Sequence, residues 1–236
     1  MSSLTQQKAT AGSGAAGTVA ATFDSSVTSG SLIAVGFTYD MGVGNANTVS
    51  SVQDTIGNLY AISDEIRDTT QGQASALWYA RRVTGGSNTV TVTFSASADF
   101  RRLIIAEFLT GTDVFDQHTT KTRTATNTNT DGLTCGPITP SARALIVAFV
   151  EIHASQPTVT VAPGTNFAEV TETGINSPAM IEMEFLDIAS PVSTSATWTL
   201  TADTPSNYIA AMASFVQTSG PGDDPPFGFS GRGAGW

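Results

Sequence analysis

The chain has one cysteine, Cys135, in 236 residues, so no intrachain disulfide can staple it. Lysine is nearly absent, found only at Lys8 and Lys121. The remaining cations are arginines, partly in the pairs Arg81-Arg82 and Arg101-Arg102. Arginine is the better cation for fixed ion pairs and interfaces. Charged residues of both signs make up only 13%, about half the usual share. The net charge is nevertheless -10, with a pI near 4.4. Such a chain repels phosphates, which argues against a nucleic-acid partner. No apolar run approaches the length of a membrane span, so no membrane partner is expected. The opening Met1-Ser2-Ser3-Leu4-Thr5-Gln6-Gln7-Lys8 has no apolar h-region and does not read as a signal peptide. The expectation is synthesis in the cytoplasm; if the protein works outside a cell, lysis or assembly into a particle takes it there.

Hydrophobic residues reach 40%, enough for a core in one large β-sandwich or two small ones. Thr, Ser, Asn and Gly supply the polarity. Thr fits half-buried pleated surfaces, while Asn and Gly fit turns. Short alternating or apolar segments predict strands at 17–23, 31–39, 47–53, 59–67, 74–83, 88–95 and 101–109. Others follow at 132–138, 143–152, 157–161, 167–172, 178–188, 195–201 and 207–217. No segment sustains a helical period. The spacing predicts an all-β chain of the sandwich or jelly-roll kind.

The second half echoes the first. Ser31-Leu32-Ile33-Ala34-Val35-Gly36-Phe37 matches Ala144-Leu145-Ile146-Val147-Ala148-Phe149-Val150. Val90-Thr91-Val92-Thr93-Phe94-Ser95 matches Ala196-Thr197-Trp198-Thr199-Leu200-Thr201. Further matches join Asn58–Ile62 to Asn166–Val170, and Arg102–Phe108 to Tyr208–Ser214. These matches predict two similar antiparallel β-sandwich halves, jelly-roll or immunoglobulin-like, related by internal duplication. The expected organisation is an N-terminal arm at 1–16, a first repeat at 17–112 and a Thr-rich link at 113–130. A second repeat at 131–218 and a Gly/Pro-rich tail at 219–236 complete it. The link's alternating Thr suits an edge strand as well as a linker. The pattern leaves separate and joint sandwiches open; two closely packed subdomains are the expectation.

Aligning 74–83 with 178–188 sets Ala76, Trp78 and Ala80 opposite Ile181, Met183 and Phe185. These are apolar in both copies and are expected to face the core. Leu77, Tyr79 and Arg81 fall opposite Glu182, Glu184 and Leu186, so solvent or a partner is expected there. A one-residue slip would bury both glutamates, at a cost.

Chemistry-bearing motifs are scarce. His118 and His153 are the only histidines; they form a pair only if the fold brings them together, and are read as surface residues. Cys135 lacks an adjacent base and is read as a small buried residue. Gly-x-Ser-x-Gly, zinc and phosphate-loop motifs are absent. Carboxylates at Asp54, Asp64, Glu65, Asp68, Glu107, Glu151, Glu182, Glu184 and Asp187 are the raw material for glycoside cleavage or calcium binding. Glu107 and Glu151 stand out because they sit inside apolar strands. Asp54-Thr55-Ile56-Gly57-Asn58 is read as a turn. No catalytic residue, cofactor or metal site is assigned, and no enzyme activity is expected. Tyr39 and Tyr79, with Tyr60, are candidates for stacking on glycans if exposed.

The segments Gly30-Ser31-Leu32-Ile33-Ala34-Val35, Asp54–Tyr60, Leu77-Trp78-Tyr79-Ala80 and Gly85–Phe94 resemble β-sandwich modules of tailed-phage virion proteins and bacterial surface proteins. The resemblance spans roughly residues 17–217. It implies structural or adhesive work and no shared catalytic residues. The leading expectation is a virion structural protein, a capsid decoration or head-associated component. It would form homo-oligomers and contact capsid or tail subunits. Phe227, Phe229, Arg232 and Trp236 in the tail are the expected partner anchors. The alternative is a tail-fibre or adhesion module that binds host-surface glycans through Tyr39 or Tyr79. A carboxylate-dependent polysaccharide hydrolase using Glu107 or Glu151 ranks last.

Overall fold

Strands form where β-branched and aromatic residues run between Gly, Asn, Asp and Pro. The structure is a computed structural model that describes residues 2–110, 112–123, 133–153, 160–173, 179–201 and 207–218. Among those residues there are fourteen strands and no α-helix.

In the first half these are β1 (Ser3–Thr22), β2 (Leu32–Asp40), β3 (Val49–Asp54), β4 (Ala61–Asp68), β5 (Gln73–Ala80) and β6 (Thr89–Leu109). In the second they are β7 (Thr112–Arg123), β8 (Leu133–Ile138), β9 (Ala144–His153) and β10 (Thr160–Pro163). The last four are β11 (Ala168–Thr173), β12 (Ala179–Ile188), β13 (Thr194–Thr201) and β14 (Asn207–Thr218).

The first half is a sheet ordered β1-β6-β2-β5-β4, with β3 also pairing β6. The second half has a sheet ordered β11-β12-β9-β14-β7 and a smaller one ordered β10-β13-β8. All pairs are antiparallel. The two halves share strand order and register. On β2, Val35 lies opposite Trp78 and Ile105. On β9, Ala148 lies opposite Glu184 and Met212. Even a bulge recurs: β4 skips Ser63 between Ile62 and Asp64, and β11 skips Val170 between Glu169 and Thr171.

Three cores stack between these layers. One fills the first half, with Val35, Phe37, Val92, Phe94 and Ile105 among its members. Another fills the second half, around Ile146, Val150, Trp198 and Met212. The third joins the halves, packing Leu32, Leu77, Ile104 and Phe108 against Val147, Phe149, Met183 and Phe215. Each central sheet is therefore buried on both faces. That explains why Leu32–Phe37 and Ala144–Val150 read as unbroken apolar runs. Gly36 marks the closest approach of the two halves, since a Cβ there would strike the Phe149 ring and sit 2.9 Å from Met183 Cε.

Two sequence expectations are corrected. Residues 1–16 are not an arm: from Ser3 onward they belong to β1, which runs along β6 from Ser3↔Leu109 to Thr22↔Thr89. An edge strand needs few apolar side chains because its backbone ladder holds it, so its composition reads as loop. The small residues around Gly12–Gly17 form the corner where β1 bends, with register shifts between Ser13 and Thr18. Arg101 fills the inside of that corner, donating to the carbonyls of Gly14 (2.8 Å), Ala16 (3.1 Å) and Ala98.

The orientation of β12 is the second correction. Register equates Ala76 with Glu182 and Trp78 with Glu184, one residue away from the sequence alignment. Ile181 and Met183 face the core between the halves, while Glu182 and Glu184 are fully buried. The alignment assumed that a β12 face bearing glutamates must meet solvent or a partner; a sheet covered on both sides offers neither. Residues 112–123 of the Thr-rich link form β7, an edge strand on β14.

Candidate functional site

Neither tyrosine proposed for sugar stacking has a free ring face. Tyr39 is fully buried, its ring 4.8 Å from that of Phe94. Its hydroxyl donates to Glu65 Oε1 (2.7 Å) and accepts from Arg67 Nη1 (3.1 Å). Burial, then Glu65, pushes the phenol pKa far up. Tyr79 is stacked on Phe115 at 5.1 Å and met edge-on by Phe215 at 5.0 Å. The expectation that these rings are exposed is overturned, because both belong to cores that sequence alternation on one strand does not reveal. Phe227, Phe229, Arg232 and Trp236 lie outside the described residues.

The histidines are not brought together. His118 on β7 lies in register with Ala213 and, through it, with Val147. His153 is six residues further along β9, about 20 Å away at the usual strand rise. His118 Nδ1 instead pairs with Asp64 Oδ1 at 2.8 Å, linking the second half to β4 of the first. Burial raises the Asp64 pKa and His118 opposes the rise. Burial lowers that of His153, against the pull of Asp68. Cys135 is buried and its thiol is pushed up to about 12, mainly by burial. No thiolate nucleophile is available there.

Glu107 and Glu151 do not form a catalytic couple. Glu107 accepts hydrogen bonds from Gln6 Nε2 (2.6 Å), the Thr28 N–H (2.7 Å) and Ser31 Oγ (3.0 Å). It ties β1 and the 23–31 loop to β6. Glu151 is 1% exposed, and burial with a contribution from Asp68 pushes it up to about 8. Its register partners Ile181 and Ile209 place it between the halves, away from Glu107.

Of the candidate carboxylates, Glu182 and Glu184, neighbours on one face of β12, are buried where solvent or a partner was expected. Glu184 lies opposite Glu169 of β11, and Glu182 opposite Glu172. Burial first, and Glu184 second, pushes Glu182 up to about 9. The buried Trp198 indole approaches Glu182 and opposes that rise, although its N–H closes no hydrogen bond. Burial lifts Glu184 to about 8, opposed by the Gly164 N–H that it accepts at 2.9 Å. Both side chains are inaccessible to solvent, so a polysaccharide cannot reach them.

Asp54 bears out the turn reading. Its carboxylate accepts the N–H groups of Ile56, Gly57 and Asn58, and the side chains of Asn58, Asn88 and Tyr60. Burial works to raise its pKa, but those hydrogen bonds win and hold it below its ordinary value.

One recess opens at the end of β5, with a volume of about 360 Å³ and a lining of Leu59, Tyr60, Ala61, Tyr79, Arg81 and Arg82. Arg82 has φ 51°, a left-handed conformation that is uncommon outside Gly and Asn. The arginine pair was visible in the sequence; its placement beside two tyrosines was not. Among the described residues, no three His, Cys, Asp or Glu side chains are grouped to hold a metal ion. No described helix is long and apolar enough to cross a membrane. No protein-family model, curated protein or solved structure matches the chain.

Proposed function

We propose that this chain is a structural component of a virion, a capsid decoration or head-associated protein that binds its neighbours through residues 219–236. The observation that carries the reading is a fixed departure point for that segment. Beside the last described residue, the Gln217 N–H donates to the Arg143 carbonyl at 2.9 Å. Gln217 Nε2 donates to Asp187 Oδ1 at 2.7 Å and to Ser2 Oγ. An arginine and three aromatics on a glycine-rich chain would thus be tethered to a rigid body. That body holds two sandwiches together through a shared apolar core.

The test counts copies of the protein in purified particles by mass spectrometry, for the full chain and for a chain lacking residues 219–236. The truncated chain should fold with an unchanged thermal midpoint and be missing from particles. Normal incorporation of that truncated chain refutes the assignment of the tail. Absence of the full chain from particles refutes the virion role itself.

A further inference from the structure

We propose that the recess at the end of β5 binds an acidic saccharide, whose carboxylate is held by Arg81 and Arg82. This goes beyond the structural role and does not depend on it.

Its volume of about 360 Å³ lies within the usual range of small-ligand sites. Its charge is opposite to that of the molecule: two of only ten cations stand side by side on one rim, in a chain of net charge -10. Both residues are exposed. A planar guanidinium matches a carboxylate with two parallel hydrogen bonds. The walls are apolar and aromatic. Leu59 is 91% exposed and forms the wall with Ala61 and the half-buried Tyr60, while Tyr79, its ring covered by Phe115 and Phe215, offers no stacking face. Such a wall suits the C–H face of a pyranose ring. Six residues from one turn and one strand end make a ring-sized basin rather than a track for an extended peptide.

The backbone adds an independent sign. Arg82 is left-handed just ahead of two fixed residues: the Val83 N–H donates to the Ser31 carbonyl at 3.1 Å, and the Thr84 N–H to Asn58 Oδ1 at 2.7 Å. Glycine would adopt this conformation without strain. A strained, charged residue on the rim of a recess is the pattern of a ligand clamp.

The experiment titrates the full chain by calorimetry with trigalacturonic acid and 3′-sialyllactose, against neutral lactose and an acetylated tetraglutamate peptide. At least one acidic sugar should bind ten-fold or more tightly than lactose. Arg82→Gly should weaken that binding at least ten-fold while leaving the melting temperature equal or higher, because glycine accepts the same φ. Arg81→Gln should weaken it as well. The proposal is overturned by acidic sugars that bind no better than lactose, or by binding unchanged in both variants. Tetraglutamate binding as tightly as the sugars also overturns it, in favour of a protein carboxylate as ligand.

Discussion

Replacing Glu182 by glutamine should make the protein less sensitive to alkali. The folded chain holds the Glu182 proton up to about pH 9, whereas an unfolded glutamate releases it near 4.5. Between those values the folded state binds more protons than the unfolded state. Stability therefore falls as pH rises. The contribution is fully present below pH 4.5 and is lost as pH climbs through the folded value. The slope is about 1.4 kcal/mol per pH unit for each such group. Glutamine keeps the shape of the protonated acid and never ionises. At pH 5, just above the unfolded value, Glu182→Gln should already gain about 0.8 kcal/mol relative to the wild type compared with acid pH. From pH 6 to pH 8 the variant should gain about 2.7 kcal/mol relative to the wild type. For a chain of this size that is roughly 5–10 °C in melting temperature. Glu184, which the folded chain keeps protonated up to about pH 8, adds its own loss over the same range, and that loss flattens once Glu184 ionises. Urea unfolding followed by tryptophan fluorescence at pH 5, 6, 7 and 8 measures the difference, with Trp198 as the local reporter. A wild-type-to-variant gap that stays constant across this series refutes the reasoning, since it would mean that Glu182 is hydrated and ordinary.

Three further outcomes follow from the geometry. Gly36→Ala places a methyl group against Phe149 and Met183 at the seam between the halves, and should destabilise by about 1–3 kcal/mol in denaturant titration, with both halves affected. Asp54→Ala leaves three backbone N–H groups and the Asn58, Asn88 and Tyr60 side chains without their acceptor, and should cost about 3 kcal/mol at pH 7. Because the folded Asp54 pKa is depressed, that loss should shrink as pH falls below 3.8, where the wild type gives up the same contribution. Cys135 should resist a thiol reagent such as DTNB at pH 8 in the folded chain and react at once in urea, since burial holds its thiol near 12; rapid labelling of the native protein would contradict its placement.

The strand inventory was legible because turn residues punctuate a chain rich in Thr, Val and Ile. The predicted segments 88–95 and 101–109 fall on one continuous strand, β6, the first starting one residue ahead of it, and Asp54 makes the turn that its neighbours Gly57 and Asn58 signal. Less legible was β1, whose Ser3–Gly17 stretch carries almost no large apolar residue yet pairs along the length of β6. Composition reports side-chain burial, and an edge strand is held mainly by its backbone. The recess was half legible. Arg81-Arg82 is conspicuous in a lysine-poor chain, but the approach of Tyr60 and Leu59 depends on the pairing of β4 with β5.

The sequence by itself determined that the chain is all-β, that it cannot be disulfide-stapled, and that its halves carry matching strand patterns. Those properties are local: period, punctuation and composition reside in a few adjacent residues. Only the tertiary structure decided which way those strands face. In a single sandwich an alternating strand has a dry face and a wet one, and Glu182 and Glu184 would mark the wet one. Here the central sheets of the two halves pack on each other, so both faces are dry. That packing withdrew Tyr79 from solvent, whereas Tyr39 is buried in the first half's own core, and Glu182 and Glu184 face Trp198 and Gly164 inside the second half's sandwich, where burial keeps them protonated. A long-range contact between sheets set these outcomes, and local residue pattern carries no record of it.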